Sequence, residues 1–293
     1  MKEILLILFG LYIIKRKGKD MDDLNLKTII ILSILLAVTL ALVSIFGAFV
    51  PGTYERETPS MAAQGTGQDL VDLFFILPLF LISLIYMLKD KKTAYFIYSG
   101  TVLYILYSFI IYSFGVHFNQ LFLLYCFTLG LSLYAFILIM CKLNNMDVNN
   151  WFSPKIPARS LGIYLIVIAV LFYLLWFKDV IPAILHNTVP KSVSNYNLLV
   201  NPVHVIDIAF ALPGLIITAI LLFKKSKLGY ILGPVSLVFV INLAIALTGM
   251  VIMVKIRGVS DDSSVAGIFI ILAVISLIFL ILFLRKLKTN KIK

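Results

Sequence analysis

Two aspartates stand at matching places in this chain. Asp72 lies in "GTGQDLVDLFFILPLF" (65–80) and Asp207 in "NPVHVIDIAFALPG" (201–214), and each precedes a proline, Pro78 or Pro213, by six residues. Three residues before each stands a second ionisable group, Asp69 or His204, so each pair shares one face of a helix. Both aspartates fall within long apolar runs. A carboxylate at membrane depth is costly, and it normally faces a bundle interior or a wet cavity. Two such carboxylates suit the binding of a proton or a cation, and an imidazole beside one adds a group that titrates near neutral pH.

A proline inside a membrane helix frees a carbonyl and bends the chain. Matched interruptions in two halves of a chain are a sequence pointer to a transporter site, so Pro78 and Pro213 are candidate hinge or kink positions. Packing kinks account for such prolines equally well. Asn201 is a good N-cap and Pro202 a good first helical residue, which puts His204 and Asp207 in the opening turns of their helix. The matched cap in the first half is Thr66 with Gly67, and Asp69 then reads as a helix-start residue. Asn242, near the middle of an apolar run, reads as interhelical glue before it reads as a ligand. Tyr107, with Tyr95, Tyr98 and Tyr104, gives one run a polar-aromatic side that would line a cavity.

These residues are carried by a chain that is 61% hydrophobic and 13% charged, with a mean hydropathy of +1.06. Lipid must be the solvent for most of it. Eight apolar runs, at 27–50, 70–88, 93–114, 120–142, 160–178, 203–223, 228–254 and 265–284, are long enough to cross a bilayer as helices. The expected fold is all-α, a polytopic integral protein of the cell membrane with the lipid bilayer as its main partner. The net charge of +11 is spread among loops and carries no nucleic-acid signal. With both termini inside, 20 of the 25 basic residues fall on the cytoplasmic side; the outer segments hold only Arg56, Lys178, Lys191, Lys255 and Arg257.

Shifting the chain by 135 positions lays residues 69–95 on 204–230 with nine identities in 27, among them the aspartates, the prolines, Lys89/Lys224, Lys92/Lys227 and Tyr95/Tyr230. A shift of 131 lays Pro51 and Pro59 on Pro182 and Pro190. This predicts a tandem duplication of four helices plus four, at 27–145 and 158–288, joined by a linker at 146–157. Four is even, so the two halves have the same orientation, with a pseudo-two-fold axis along the membrane normal. If the second and sixth runs line that axis, Asp72 and Asp207 meet in one cavity. A basic tail at 289–293 closes the chain. Residues 1–26 form a cytoplasmic N-terminal segment whose "ILLILFGLYII" is too short to span; a start at Met21 is the alternative.

"NPVHVIDIAFALPG" and "FLLYCFTLGLSLYAF" resemble stretches of multi-pass prokaryotic membrane proteins that carry no assigned function. The resemblance implies no activity and adds no site residue. The leading functional reading is a permease for a small solute or an ion, with an outward-facing acidic site between the repeats. A membrane enzyme with an extracytoplasmic His/Asp site, and a non-catalytic subunit or sensor, are the alternatives. No phosphate loop, nucleophile elbow or metal-ligand spacing is present, so no cofactor and no metal ligand is assigned. Cys126 and Cys141 lie far apart along one helix and cannot pair. Composition leaves the oligomeric state open.

Overall fold

The computed structural model describes residues 19–259 and 264–289. The apolar stretch near the N-terminus and the last four residues of the basic tail lie outside the described residues. Among the described residues, eight helices are long and apolar enough to cross a membrane: α1 (Leu26–Phe49, continuing a helix that begins at Lys19), α2 (Pro59–Leu88), α3 (Lys92–Gly115), α4 (Phe122–Asn145), α5 (Ala158–Leu185), α6 (Pro202–Phe223), α7 (Lys227–Ile256) and α8 (Ser264–Leu284). Among the described residues there is no strand, only an isolated bridge between Phe152 and Leu287. Large aliphatic side chains such as Leu174, Ile268 and Ile271 point outward and are more than half exposed. Water does not tolerate such a surface over a whole bundle, whereas hydrocarbon does.

Helix α3 is the centre of the bundle. In its apolar stretch 72% of the residues are buried, against 17% in α8, which lies at the periphery. It packs against α2, α4 and α7. The contact with α7 is close because of Gly100: a methyl group there would fall 2.5 Å from Val238 Cβ and 2.7 Å from the Val235 carbonyl. Helix α7 also meets α2 backbone to backbone. A Cβ on Gly67 would lie 2.6 Å from the Gly249 carbonyl oxygen, a separation that only paired glycines allow. Helix α1 packs on α2 and α4, α5 on α6, and α8 on α7.

The two aspartate-bearing helices share a local distortion. In α2, residues Asp72–Ile76 form one π-helical turn, and in α6 residues Asp207–Ala211 do the same. In each, the aspartate carbonyl accepts from the N–H five residues on, Leu77 or Leu212. The proline follows at once. Its ring would collide with a carbonyl one turn back and leaves that carbonyl without a donor. Widening the preceding turn to i→i+5 moves the carbonyl aside, so the helix continues past the proline.

The helix starts differ from expectation in one half. Asn201 caps α6, its Oδ1 accepting from the Val203 N–H at 2.9 Å, with Pro202 in the first turn. Thr66 and Gly67 cap nothing. Helix α2 begins earlier, at Pro59, where Thr58 Oγ1 accepts from the Met61 N–H at 3.3 Å. Asp69 is therefore well inside α2, not a helix-start residue. Helix α5 runs on through Pro182 to Leu185. Pro190 then caps a short helix, Lys191–Ser194, which the chain leaves before restarting at Pro202.

The linker is not a loose loop. Val148–Trp151 form a 3-10 turn, and the bonds Ser153 N–H to Lys286 O and Lys288 N–H to Trp151 O, both 2.8 Å, fasten it to the end of α8. Trp151 packs edge-on to Tyr95 and Phe96 of α3, with ring centroids 6.1 and 5.8 Å away, and Phe152 packs on Phe283 of α8 at 5.1 Å.

Candidate functional site

Every candidate acid is buried, and each is held by at least one aromatic side chain. Asp72 is 1% exposed and accepts from the Tyr104 hydroxyl of α3 at 2.7 Å. Asp69, fully buried one turn away, accepts from Tyr112 of α3 at 2.9 Å on one oxygen. Tyr54, in the turn between α1 and α2, donates to its other oxygen at 2.5 Å. Asp207 accepts from Tyr107 of α3 at 2.9 Å and from the Trp176 indole N–H of α5 at 2.8 Å. These donors are hydroxyl and indole groups, joined at Asp72 by the Gln68 side chain, and none is a lysine or arginine.

Helix α3 thus supplies a tyrosine to each of the three acids. Tyr104 and Tyr107 lie three residues apart, and Tyr112 follows one turn above Ser108. The reason is geometric: α3 is central, so α2 and α6 both reach it. The carboxylates of Asp72 and Asp207 accordingly bond to α3 and not to each other. Helices α3 and α7 pack against each other at the centre of the bundle.

Helix α1 approaches Asp69 closely. A Cβ on Gly47 would lie 1.8 Å from Asp69 Oδ2 and 2.7 Å from the Tyr54 hydroxyl. One turn earlier on α1, Ser44 Oγ is buried with no hydrogen-bond partner. Tyr54 lies outside the spans; burial, with the Asp69 carboxylate beside it, pushes its hydroxyl well above the ordinary tyrosine value.

The second half is built differently. His204 is 7% exposed, and its ring stacks obliquely on Trp176 at 4.6 Å between centroids. Trp176 therefore touches both members of the His204/Asp207 pair. One turn further along α5, Asp179 accepts from Ser192 Oγ and lies near enough to His204 to act on its charge. A small cavity of about 30 Å³ beside Asp207 is lined by Ala211, Phe239 and Leu272 among others.

Asn242 joins α7 to α3: its Nδ2 donates to Thr101 Oγ1 at 3.2 Å, while its Oδ1 is buried without a donor. Pro78 and Pro213 sit directly after the π turns. The sequence alone does not single out Tyr54, Tyr112, Trp176 or Asp179. Trp176 and Asp179 carry a faint signal, being three apart on one face. Tyr112 continues the spacing of Tyr104 and Ser108, and Tyr54 sits in a turn where no periodicity operates.

Outside the membrane the connecting segments are clasped together. Glu57 accepts from the His117 backbone N–H at 2.6 Å and pairs with His117 Nδ1 at 2.9 Å. The other ring nitrogen lies 3.3 Å from the Asn197 carbonyl, and Arg56 donates to the Phe118 carbonyl at 2.7 Å. The hydrogen bond to Glu57 raises the His117 pKa above its ordinary value, against the opposing effect of burial. Below this clasp an apolar groove of about 620 Å³ runs between α3 and α6, from Asn197 past Ile110 to Phe210.

Comparison of the whole chain with protein-family profiles, with curated proteins and with solved structures returns no match.

Proposed function

We propose that this multi-pass membrane protein is a permease for a small solute or an ion, built from two duplicated halves with both termini in the cytoplasm. The observation that carries the reading is the repeated unit of aspartate, π turn and proline in α2 and α6. Each aspartate is buried and held by a tyrosine of the same central helix. Broken or distorted helices at corresponding places in two halves are how transporters expose backbone and bind charge at membrane depth. A π turn is also a local reserve of backbone freedom, since one residue's worth of chain can be taken up or released there. The acids Asp69, Asp72 and Asp207, with His204, Tyr107 and Asn242, are the proposed binding residues, and Pro78 and Pro213 the proposed hinges.

The test is two-sided access. Ala211 lines the small cavity with Asp207. In a chain whose Cys126 and Cys141, both exposed, are replaced by serine, Ala211→Cys is expected to react with a membrane-impermeant thiol reagent applied from either face of sealed vesicles. Reaction from one face only would end the permease reading. It would favour the enzyme alternative, which draws on the meeting of His204, Asp207 and Asp179 around Trp176.

A further inference from the structure

We propose that the crevice between α2 and α3, where the two helices converge on the turn at residues 89–91, is a binding site for an anionic phospholipid. The head lies against Lys89 and Lys91, and one acyl chain lies between the helices. The crevice begins two turns beyond Asp72 and is separate from the buried acids.

Its walls are two facing helix stripes. Leu79, Ile82, Ser83 and Tyr86 lie on one face of α2, and Thr93, Ala94 and Ile97 on one face of α3. With Lys91 at the mouth they enclose about 430 Å³. From Tyr86 to Leu79 the crevice runs about 10 Å at 1.5 Å per residue, which accommodates part of one acyl chain. Ser83 spends its hydroxyl proton on the Phe80 carbonyl at 2.8 Å, so the α2 wall below Tyr86 presents hydrocarbon. Ile82 and Tyr86 are half exposed, and the crevice therefore opens sideways onto the bilayer.

The mouth is positive. Residues 89–92 hold three lysines and one aspartate. Asp90 is turned to Tyr95, whose hydroxyl lies 3.4 Å from Oδ1. Lys92 is turned to the linker, its Nζ 5.5 Å from the Trp151 ring centroid and 3.1 Å from Thr289 Oγ1. Lys89 and Lys91 remain at the crevice. Lys89 Nζ lies over the Tyr86 ring, 5.6 Å from its centroid, and Lys91 lines the opening. Among the described residues neither forms an ion pair with an acid. An acyl chain gains little by leaving other lipid tails for this wall, because both are equally apolar. Selection therefore rests on the head. A zwitterionic head brings its own ammonium against the lysines, whereas an anionic head does not. A lysine at the membrane surface favours an anionic lipid about fivefold, or about 1 kcal/mol, so two give roughly 30-fold.

The corresponding turn of the second half has the charge and a different shape. At the shift of 135 positions Lys89 and Lys92 recur as Lys224 and Lys227, with Lys225 between them, but Lys91 falls on Ser226 and Ala94 on Gly229. Ser226 caps α7, its Oγ accepting from the Gly229 N–H at 3.1 Å. Gly229 brings α7 hard against α6: a Cβ there would lie 2.6 Å from the Leu221 carbonyl oxygen. Lys227 donates to the Asn144 carbonyl. The second turn is thus closed at the place where the first has Ala94 and an opening. A basic turn alone attracts anionic lipid in both halves; a seat for its chain sets the first apart.

The experiment uses the full chain in mild detergent, titrated with equal amounts of dioleoyl phosphatidylglycerol and dioleoyl phosphatidylcholine, with bound lipid counted by native mass spectrometry. One phosphatidylglycerol is expected to bind with roughly 30-fold preference. Lys91→Gln should weaken it about fivefold. Ile82→Trp, which fills the crevice from its lipid-facing rim, should remove the tight site. Lys225→Gln takes the same charge from the exposed second turn and should change nothing. Inorganic phosphate should not displace the lipid, since the chain is part of what is held. Equal binding of the two lipids overturns the proposal. So does an equal loss in Lys225→Gln and Lys91→Gln, which is adsorption to any basic turn, or displacement by phosphate, which is a headgroup site without a chain. An unchanged melting transition shows that each variant folds; should Ile82→Trp melt early, the comparison of Lys91→Gln with Lys225→Gln decides alone.

Discussion

Gly47→Ala is the sharpest test of how the acid cluster is packed. The added methyl would sit 1.8 Å from Asp69 Oδ2, 2.6 Å from its Cγ and 2.7 Å from the Tyr54 hydroxyl. Ordinary contact begins near 3.4 Å, so the carboxylate must move by more than an ångström or α1 must shift outward. Overpacking of this kind costs about 1–3 kcal/mol. If the carboxylate moves, it loses its bond to Tyr54 or to Tyr112, and a hydrogen bond to a charged group contributes about 1.5–3 kcal/mol. The two costs together come to about 2.5–6 kcal/mol. Unfolding in mixed micelles with increasing SDS, followed by tryptophan fluorescence, measures the change. The control is Gly130→Ala on α4, where nothing lies within 4 Å of the new methyl; it should be neutral or mildly stabilising, since alanine favours helix over glycine. The decisive comparison is a double-mutant cycle. In an Asp69→Ala background the obstructing carboxylate is gone, and Gly47→Ala should cost less than about 1 kcal/mol. A cost below about 0.5 kcal/mol in the wild type, or the same cost in both backgrounds, would refute the packing and with it the placement of Asp69 against α1.

Three further outcomes are expected. Trp176→Phe removes the indole N–H from Asp207 and should destabilise the protein by about 1.5–3 kcal/mol in the same assay; a neutral result would mean that Asp207 does not depend on α5. His117 has a raised pKa in the folded protein, so the stability from its pair with Glu57 is fully present below the ordinary value of 6.5 and is lost as pH rises through the folded value. Hydrogen exchange in the segments around residues 57, 117 and 197 should therefore quicken as pH is raised above neutrality, after correction for intrinsic rates, and Glu57→Gln should abolish that excess. For topology, single cysteines at residues 60 and 195 should label from outside and those at 150 and 226 from inside; reversal at either neighbouring pair would overturn the orientation.

Much of this arrangement was legible because lipid imposes strong rules. Run length and composition alone give eight helices, since no other element satisfies its backbone in hydrocarbon. The burial of Asp72 and Asp207 follows from the cost of leaving a carboxylate in lipid. The start of α2 was not legible from apolarity. Residues 59–69 are polar enough to read as a loop, and only the Thr58-Pro59 cap signals the helix. The π turns were hidden as well: sequence shows a proline six residues past an aspartate, but whether the helix bends or widens depends on packing. Tyr107 could be seen as part of a polar side of its helix. That it meets Asp207, 100 positions away, is set by the order of helices around α3, and one sequence contains no measure of that order.

The joint between the linker and the end of α8 has a consequence for how the molecule is made. Trp151 and Phe152 find half their partners on α3, already synthesised when they emerge. The other half, Phe283 and the backbone of Lys286 and Lys288, arrives only after α5, α6, α7 and α8 have followed. During that interval two large aromatic side chains wait at this end of the bundle with one face uncovered, the kind of transiently exposed apolar surface that makes folding intermediates prone to misassembly. The last stretch of α8 to leave the ribosome is the piece that covers them. Completion of the bundle is thereby coupled to the closing of this joint, and a chain ending short of residue 283 would leave Phe152 without Phe283 and the linker without its bond to Lys286.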